Sequence, residues 1–344
     1  MSNAGWPDPA RPAGHVDLRF GDAGVVQDIS AATRVDDTLF LAADEGGTLE
    51  RLTRDGDAWA HHRRFALADL LPLRWPDKEA DIEGLAAAGD WLWIVGSHAR
   101  TRRKIAKEAG EHIDLRDLAN LKDSRARCLL ARVPLLRTDG GWEPVARDGD
   151  RRAGLVRQGG HGGALSRALR RDPLLRPFRR VPAKEGGVDV EGIAVFGERV
   201  ALGLRGPVID GHALLLELEI ACEADGRLKL RGPPVKRLLA LKGLGIRDLK
   251  RRGDDLLILA GPTTALSGPV ALYRWEGWAN DPPRDPDVVR LHRPERLLYL
   301  PFGNGEDHPE ALALWEDDRL LIVCDTPADT RVDGASIRAD LFRL

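Results

Sequence analysis

Cysteine is scarce in this chain of 344 residues. Cys128, Cys222 and Cys324 each lie in or beside an apolar run, with no CxxC and no metal-ligand spacing. That excludes a disulfide framework and a cysteine zinc site, and predicts small buried hydrophobes in a reducing compartment. No stretch approaches the 18 or so uninterrupted apolar residues of a membrane span. The first nine residues, Met1 to Pro9, have neither a basic start nor an apolar core, so no secretory leader is expected. Charge of one sign is also lacking: 52 basic residues against 54 acidic give −2, with no bulk bias toward nucleic acid or an anionic membrane. Lysine is the rarer base, nine against 43 arginines, as a GC-rich genome would produce. The expectation is a soluble, cytoplasmic bacterial protein without nucleic-acid or membrane partners. With 43 % apolar residues it has ample material for a packed core.

What is present is a short phrase, five times over. It reads Asp28-Ile29-Ser30-Ala31, Ile82-Glu83-Gly84-Leu85, Val190-Glu191-Gly192-Ile193, Ile246-Arg247-Asp248-Leu249 and Pro309-Glu310-Ala311-Leu312. Seven residues past each polar anchor stands an acid: Asp37, Asp90, Glu198, Asp254 and Asp317. A second apolar run follows. Strand, acidic turn, strand, repeated at this scale, predicts an all-β radial array. His15 to Phe20 alternates as a half-buried strand does, and strands follow near 25–32, 37–43, 48–53 and 58–65, four in about 40 residues. That is the size of one propeller blade.

The anchors are 53, 56 and 63 residues apart where they are regular, but Glu83 and Glu191 are separated by 108. Insertions in or after blade two account for the excess, at about 99–126 and 146–187. The first is charged, with a basic run from Arg100 to Lys107 and Ile113, Leu115, Leu118 and Leu121 at near-helical spacing. The second carries a short helix stopped by Pro173. A sixth blade with an eroded signature stays open. Residues 1–15 read as a loose arm and 16–344 as one propeller domain, closed by pairing the C-terminal strand near 337–344 with residues 16–20.

Longer phrases carry a resemblance. Pro182 to Gly192, Gly203-Leu204-Arg205-Gly206-Pro207, Gly245 to Leu249 and Leu259 to Thr263 together resemble a bacterial family catalogued only as a domain of unknown function. The Asp-x-Glu-Gly phrase is similar, more distantly, to the esterase-like phytases, and the Glu-Gly on an inner strand to the gluconolactonase-type propellers. The close family implies a propeller and no activity. The distant likenesses imply a calcium-dependent hydrolase.

In a propeller the loop entering each inner strand and the loop leaving the second strand open on one face. Asp28, Asp81, Glu83, Asp189, Glu191, Arg247, Asp248, His308 and Glu310 should therefore meet Asp44, Glu45, Ser97, His98, Arg205 and Asp325 around one mouth. Crowded carboxylates raise one another's pKa unless a cation neutralises them. The resulting candidates are Glu191, Arg247 and His98 for catalysis. Arg205, Asp248, Lys184 and Asp189 are candidates for binding an anionic small molecule or a protein partner. Glu83, Glu191, Glu310 and Asp28 are candidates for Ca²⁺. A hydrolase of phosphoesters, esters or lactones is one reading and a binding scaffold without turnover the other. Each anchor also has a purely structural alternative, in which it bonds the next blade. Arginines can replace the metal by pairing with the acids internally. A nucleophile elbow, a P-loop and a dinucleotide fingerprint are absent. The four glycines around His161 read as a hinge.

Overall fold

The computed structural model describes residues 8–102, 113–122, 125–159, 163–264, 266–282, 285–316 and 318–344. Lys107, Gly160, His161, Gly162 and Asp317, which figure in the expectations above, lie outside them.

Each of the five phrases opens the first strand of an antiparallel unit. Blade one runs through Ile29–Val35, Thr38–Ala43, Thr48–Asp55 and Ala58–Ala66. Blade two starts with Ile82–Ala87, Trp91–Gly96 and Leu130–Thr138. Blade three has Asp189–Phe196, Arg199–Gly206, Ala213–Cys222 and Val235–Leu239. Blade four has Gly245–Arg252, Asp255–Gly261, Val270–Trp275 and Glu295–Leu300. Blade five has His308–Leu314, Arg319–Asp325 and Ser336–Arg343. Its fourth strand comes from the other end of the chain: Gly14–Arg19 pairs with it from Gly14↔Leu341 to Arg19↔Ser336. First strands adjoin one another in sequence, and the fifth adjoins the first, closing the ring. This is a β-propeller, with five such units among the described residues.

The second strand of each blade is sandwiched between neighbouring blades on both faces. That is why Leu39–Ala42, Leu92–Val95, Leu256–Ala260 and Leu320–Cys324 are continuous apolar runs and wholly buried. Among the described residues, the long gap between Glu83 and Glu191 holds inserted segments and no further anchor strand. Its helix, Gly163–Arg171, drops Leu165 and Leu169 into the core shared by blades two and three. The first insertion is less helical than its spacing suggests. Among its described residues only Leu115–Ala119 is helical, and Ile113 and Leu115 are exposed. Blade one begins at Ile29, later than expected. Residues Ala23–Val25 instead form a 3-10 turn capped by the Asp22 side chain.

The repeated phrase has one local cause. In every blade the pairing of first and second strands slips by one residue, at Ser30, Glu83, Glu191, Arg247 and Glu310. Each anchor is the extra residue of a β-bulge, released from the ladder and re-aimed. The small residue that often follows lets the next blade come close. A Cβ on Gly84 would lie 2.8 Å from Val95 Cγ1 and 3.0 Å from Ile193 Cγ2, and one on Gly192 would lie 2.9 Å from the Leu249 backbone nitrogen.

Replacing Gly192 by alanine must therefore push apart two backbones. Gly192→Ala should lower stability by about 1–3 kcal/mol in urea denaturation, the usual cost of overpacking. Gly47→Ala, where a Cβ meets nothing, should be near neutral.

Candidate functional site at the channel mouth

The five bulges lie at corresponding places in five neighbouring strands, and four of their side chains, Glu83, Glu191, Arg247 and Glu310, lie close enough to act on one another and on Arg205 from the end of a second strand. On the side of blades three to five the charges are interlocked. Arg205 donates from Nη2 to Asp189 Oδ2 and from Nη1 to Glu191 Oε1, both at 2.8 Å. Arg247 donates to Glu191 Oε2 at 3.0 Å and to Glu310 Oε1 at 2.6 Å. The sequence Asp189–Arg205–Glu191–Arg247–Glu310 is thus a ladder of alternating sign across three blades. Burial raises Asp189 to about 6 against the pull of Arg205. The carboxylates in turn hold Arg205 and Arg247 above arginine's ordinary pKa, outweighing burial.

On the other side acids predominate. Asp81 is buried and takes one guanidinium, Arg127, at 2.8 Å, which Glu79 shares. Burial lifts Asp81 to about 7. Burial first, then Asp28 and Glu310, lift Asp44 to about 6. Asp325 rises to about 7 through burial and the charges of Glu310 and Asp44. Half-buried Glu83 makes no hydrogen bond or ion pair with the described residues. Burial, then the fields of Asp81, Glu191, Asp189 and Glu310, push it well above the carboxylate range. Glu83 therefore gives up its proton less readily than a solvated glutamate does.

The remaining candidates are placed differently. Asp248 follows its bulge and points into the wall. It accepts from the Leu312 amide of blade five at 2.9 Å and from Lys250 Nζ at 2.6 and 2.7 Å. That ties blade four to blade five and takes Asp248 away from any ligand. Ser30 does the equivalent for blades one and two, donating to the Ile82 carbonyl at 2.5 Å. His98 is buried, its Nε2 on the Leu129 carbonyl at 3.1 Å, and burial together with Arg179 drives its pKa to about 3. A ring that holds its proton so weakly is a poor base, and its place is in the wall behind the mouth. Lys184 is exposed on the turn Ala183–Glu185, just before the Asp189 strand. Asp28 lies at the strand start of blade one, within reach of Asp44's field. Arg127 was not legible: it belongs to no repeat and comes from the turn just before Leu130–Thr138.

For Ca²⁺ the arrangement offers no ready cage. Glu191 and Glu310 already carry guanidinium partners, and among the described residues no three His, Cys, Asp or Glu side chains converge as a metal site. No helix among them is long and apolar enough to cross a membrane.

Residues 28–340 match the profile of a family described as "Protein of unknown function (DUF3616)". The chain belongs to this family. No curated protein sequence matches it. Several solved structures are similar to it at low identity. The glutaminyl cyclase of Myxococcus xanthus is 12 % identical with a TM-score of 0.41, over 97 % of this chain and all of that one. The family 43 endo-arabinanase of Bacillus licheniformis is 12 % identical with a TM-score of 0.42, over 95 % and 96 %. The β-propeller domain of Cps50 (Swd1) from Myceliophteria thermophila is 10 % identical with a TM-score of 0.37, over 98 % and 100 %.

Two predictions follow from this geometry. An acid whose pKa is raised on folding holds its proton while the unfolded chain ionises, so folding loses stability as pH climbs from about 4 to the folded value. Glu83→Gln should thus melt like the parent at about pH 4 and progressively above it toward pH 8. Parallel pH profiles would mean that Glu83 is ionised and stabilised in the fold. Asp248→Ala strands the buried Lys250 ammonium and should cost about 3–5 kcal/mol in denaturant titration, with any ligand affinity of the surviving folded fraction unchanged.

Proposed function

We propose that the DUF3616 channel mouth binds a neutral or cationic small molecule and hydrolyses it, as an ester or lactone, with Glu83 as the proton-exchanging group. One observation carries this reading: Glu83 is aimed at the mouth, lacks a partner among the described residues, and has its pKa raised by burial and by acidic neighbours. Enzymes tune general acid–base carboxyls in this way. Ionised Glu83 takes a proton from water as the water oxygen bonds the carbonyl carbon. It returns that proton to the leaving oxygen as the C–O bond breaks. The Arg205–Glu191–Arg247 ladder holds the opposite wall rigid.

Electrostatics narrows the substrate. Arg205 and Arg247 are engaged by Asp189, Glu191 and Glu310, and further acids line the other side. A phosphoester or other anion entering here meets net negative charge, whereas a neutral ester, or one bearing an amine, does not. That same acid excess supports a second reading, in which a cationic ligand docks without turnover.

A panel of neutral chromogenic esters and lactones, assayed with parent and Glu83→Gln protein, separates the two. Hydrolysis that falls by about a hundredfold or more in the variant supports the enzyme. Hydrolysis equal in both, or none at all, sinks it. Melting shifts with amines or with Ca²⁺ after EDTA, abolished by Glu83→Gln, would then support the binding reading.

A further inference from the structure

The insertion between blades two and three has a charge the whole chain conceals. Residues 151–180 contain nine arginines and one acid, Asp172, in a protein whose net charge is −2. Arg167, Arg170 and Arg171 stand at i, i+3 and i+4 of the helix Gly163–Arg171 and so share a face. Arg157 lies beside the start of that helix, since its carbonyl crowds Gly163, and Arg176 lies one turn beyond its end. All five are exposed, and none has an acidic partner among the described residues. The patch is crowded enough that burial and the like charges of Arg100 and Arg170 pull buried Arg179 below arginine's ordinary pKa.

Arg171 stands on the lip of a cleft of about 530 Å³ between this helix and the outer edge of blade three. Its walls are largely apolar: Ala168, Pro173, Leu174, Pro233, Pro234 and Val289. Asp172 and Lys236, paired at 2.6 Å, form its polar floor and neutralise each other, and one exposed acid, Asp287, stands on the rim across from Arg171. The volume is that of a small-ligand pocket, ample for one large side chain.

We propose that this surface docks an acidic peptide segment of a partner protein, with an apolar anchor residue seated in the cleft and carboxylates on the helix arginines. Charge complementarity selects the acidic partner. The cleft selects a peptide over the alternatives. Single-stranded nucleic acid is held by aromatic platforms, and no aromatic side chain lines this pocket. A membrane would need the apolar face of the helix, and Leu165 and Leu169 are buried in the core. This site is separate from the channel mouth and does not rest on the reading given for it.

The test is fluorescence anisotropy with a dye-labelled peptide of glutamates flanking one central leucine. Parent protein should bind it, and the binding should weaken about tenfold in the R167E/R170E/R171E variant. Replacing the peptide's leucine by glycine should weaken it again with the protein untouched. The three exposed arginines make no side-chain hydrogen bond or ion pair with the described residues, so the variant should melt like the parent, and R171E alone serves if it does not. Equal binding by parent and charge-reversed protein overturns the proposal. So do indifference to the leucine, and tighter binding of an oligothymidylate or of anionic phosphatidylserine vesicles.

Discussion

The β-bulge at the head of each inner strand is the constraint on which the rest of this molecule depends. A regular strand would point its residues alternately into the wall and into the channel. One extra residue per strand breaks that alternation and frees a single side chain per blade for the mouth. The geometry is the same five times, but the chemistry is not. Ser30 reaches across to the next blade, Glu191 and Glu310 take guanidinium partners, Arg247 is itself a guanidinium, and Glu83 takes none. Function can vary at these positions because the backbone device that presents them is independent of the side chain presented.

Arg247 makes the ring tolerable. Three of the five anchors are glutamates, and like charges facing one channel oppose ionisation. An arginine at the fourth anchor sits between two of them and, with Arg205 from the end of a second strand, converts repulsion into a ladder. Both arginines leave a buried Nε–H without an acceptor among the described residues, so the ladder is not fully satisfied. The compensation is also lopsided. It covers blades three to five and stops short of Glu83, Asp44 and Asp325, whose raised pKa values mark where the uncompensated charge collects.

Periodicity made the fold legible. Five phrases with a turn acid at fixed spacing specify strands and their order, and alternation at the two termini specifies how the ring closes. The phrase could even be quoted without knowing that it encodes a bulge. Direction was harder to read. Asp248 and Glu191 both belong to anchor phrases, yet one residue of offset turns Asp248 into the wall, where it holds Leu312 and Lys250. His98 has a loop-like sequence and a buried ring, because the segment leading into Leu130–Thr138 packs against it through the Leu129 carbonyl. Arg127 pairs with Asp81 across a sequence gap filled by the first insertion, and no local pattern encodes such a meeting.

Near-zero net charge was the least informative number in the sequence. It averages an acidic mouth with an arginine-covered insertion, and each of these fields decays within about 8 Å at physiological ionic strength. A ligand therefore responds to the surface it touches and not to the sum. A molecule that suits the mouth, neutral or positive, gains nothing from the insertion, and an acidic segment that suits the insertion is repelled by the mouth. Opposite charge on two parts of one rigid scaffold is thus a sorting device, able to keep a small ligand and a macromolecular partner at their separate places without any conformational change.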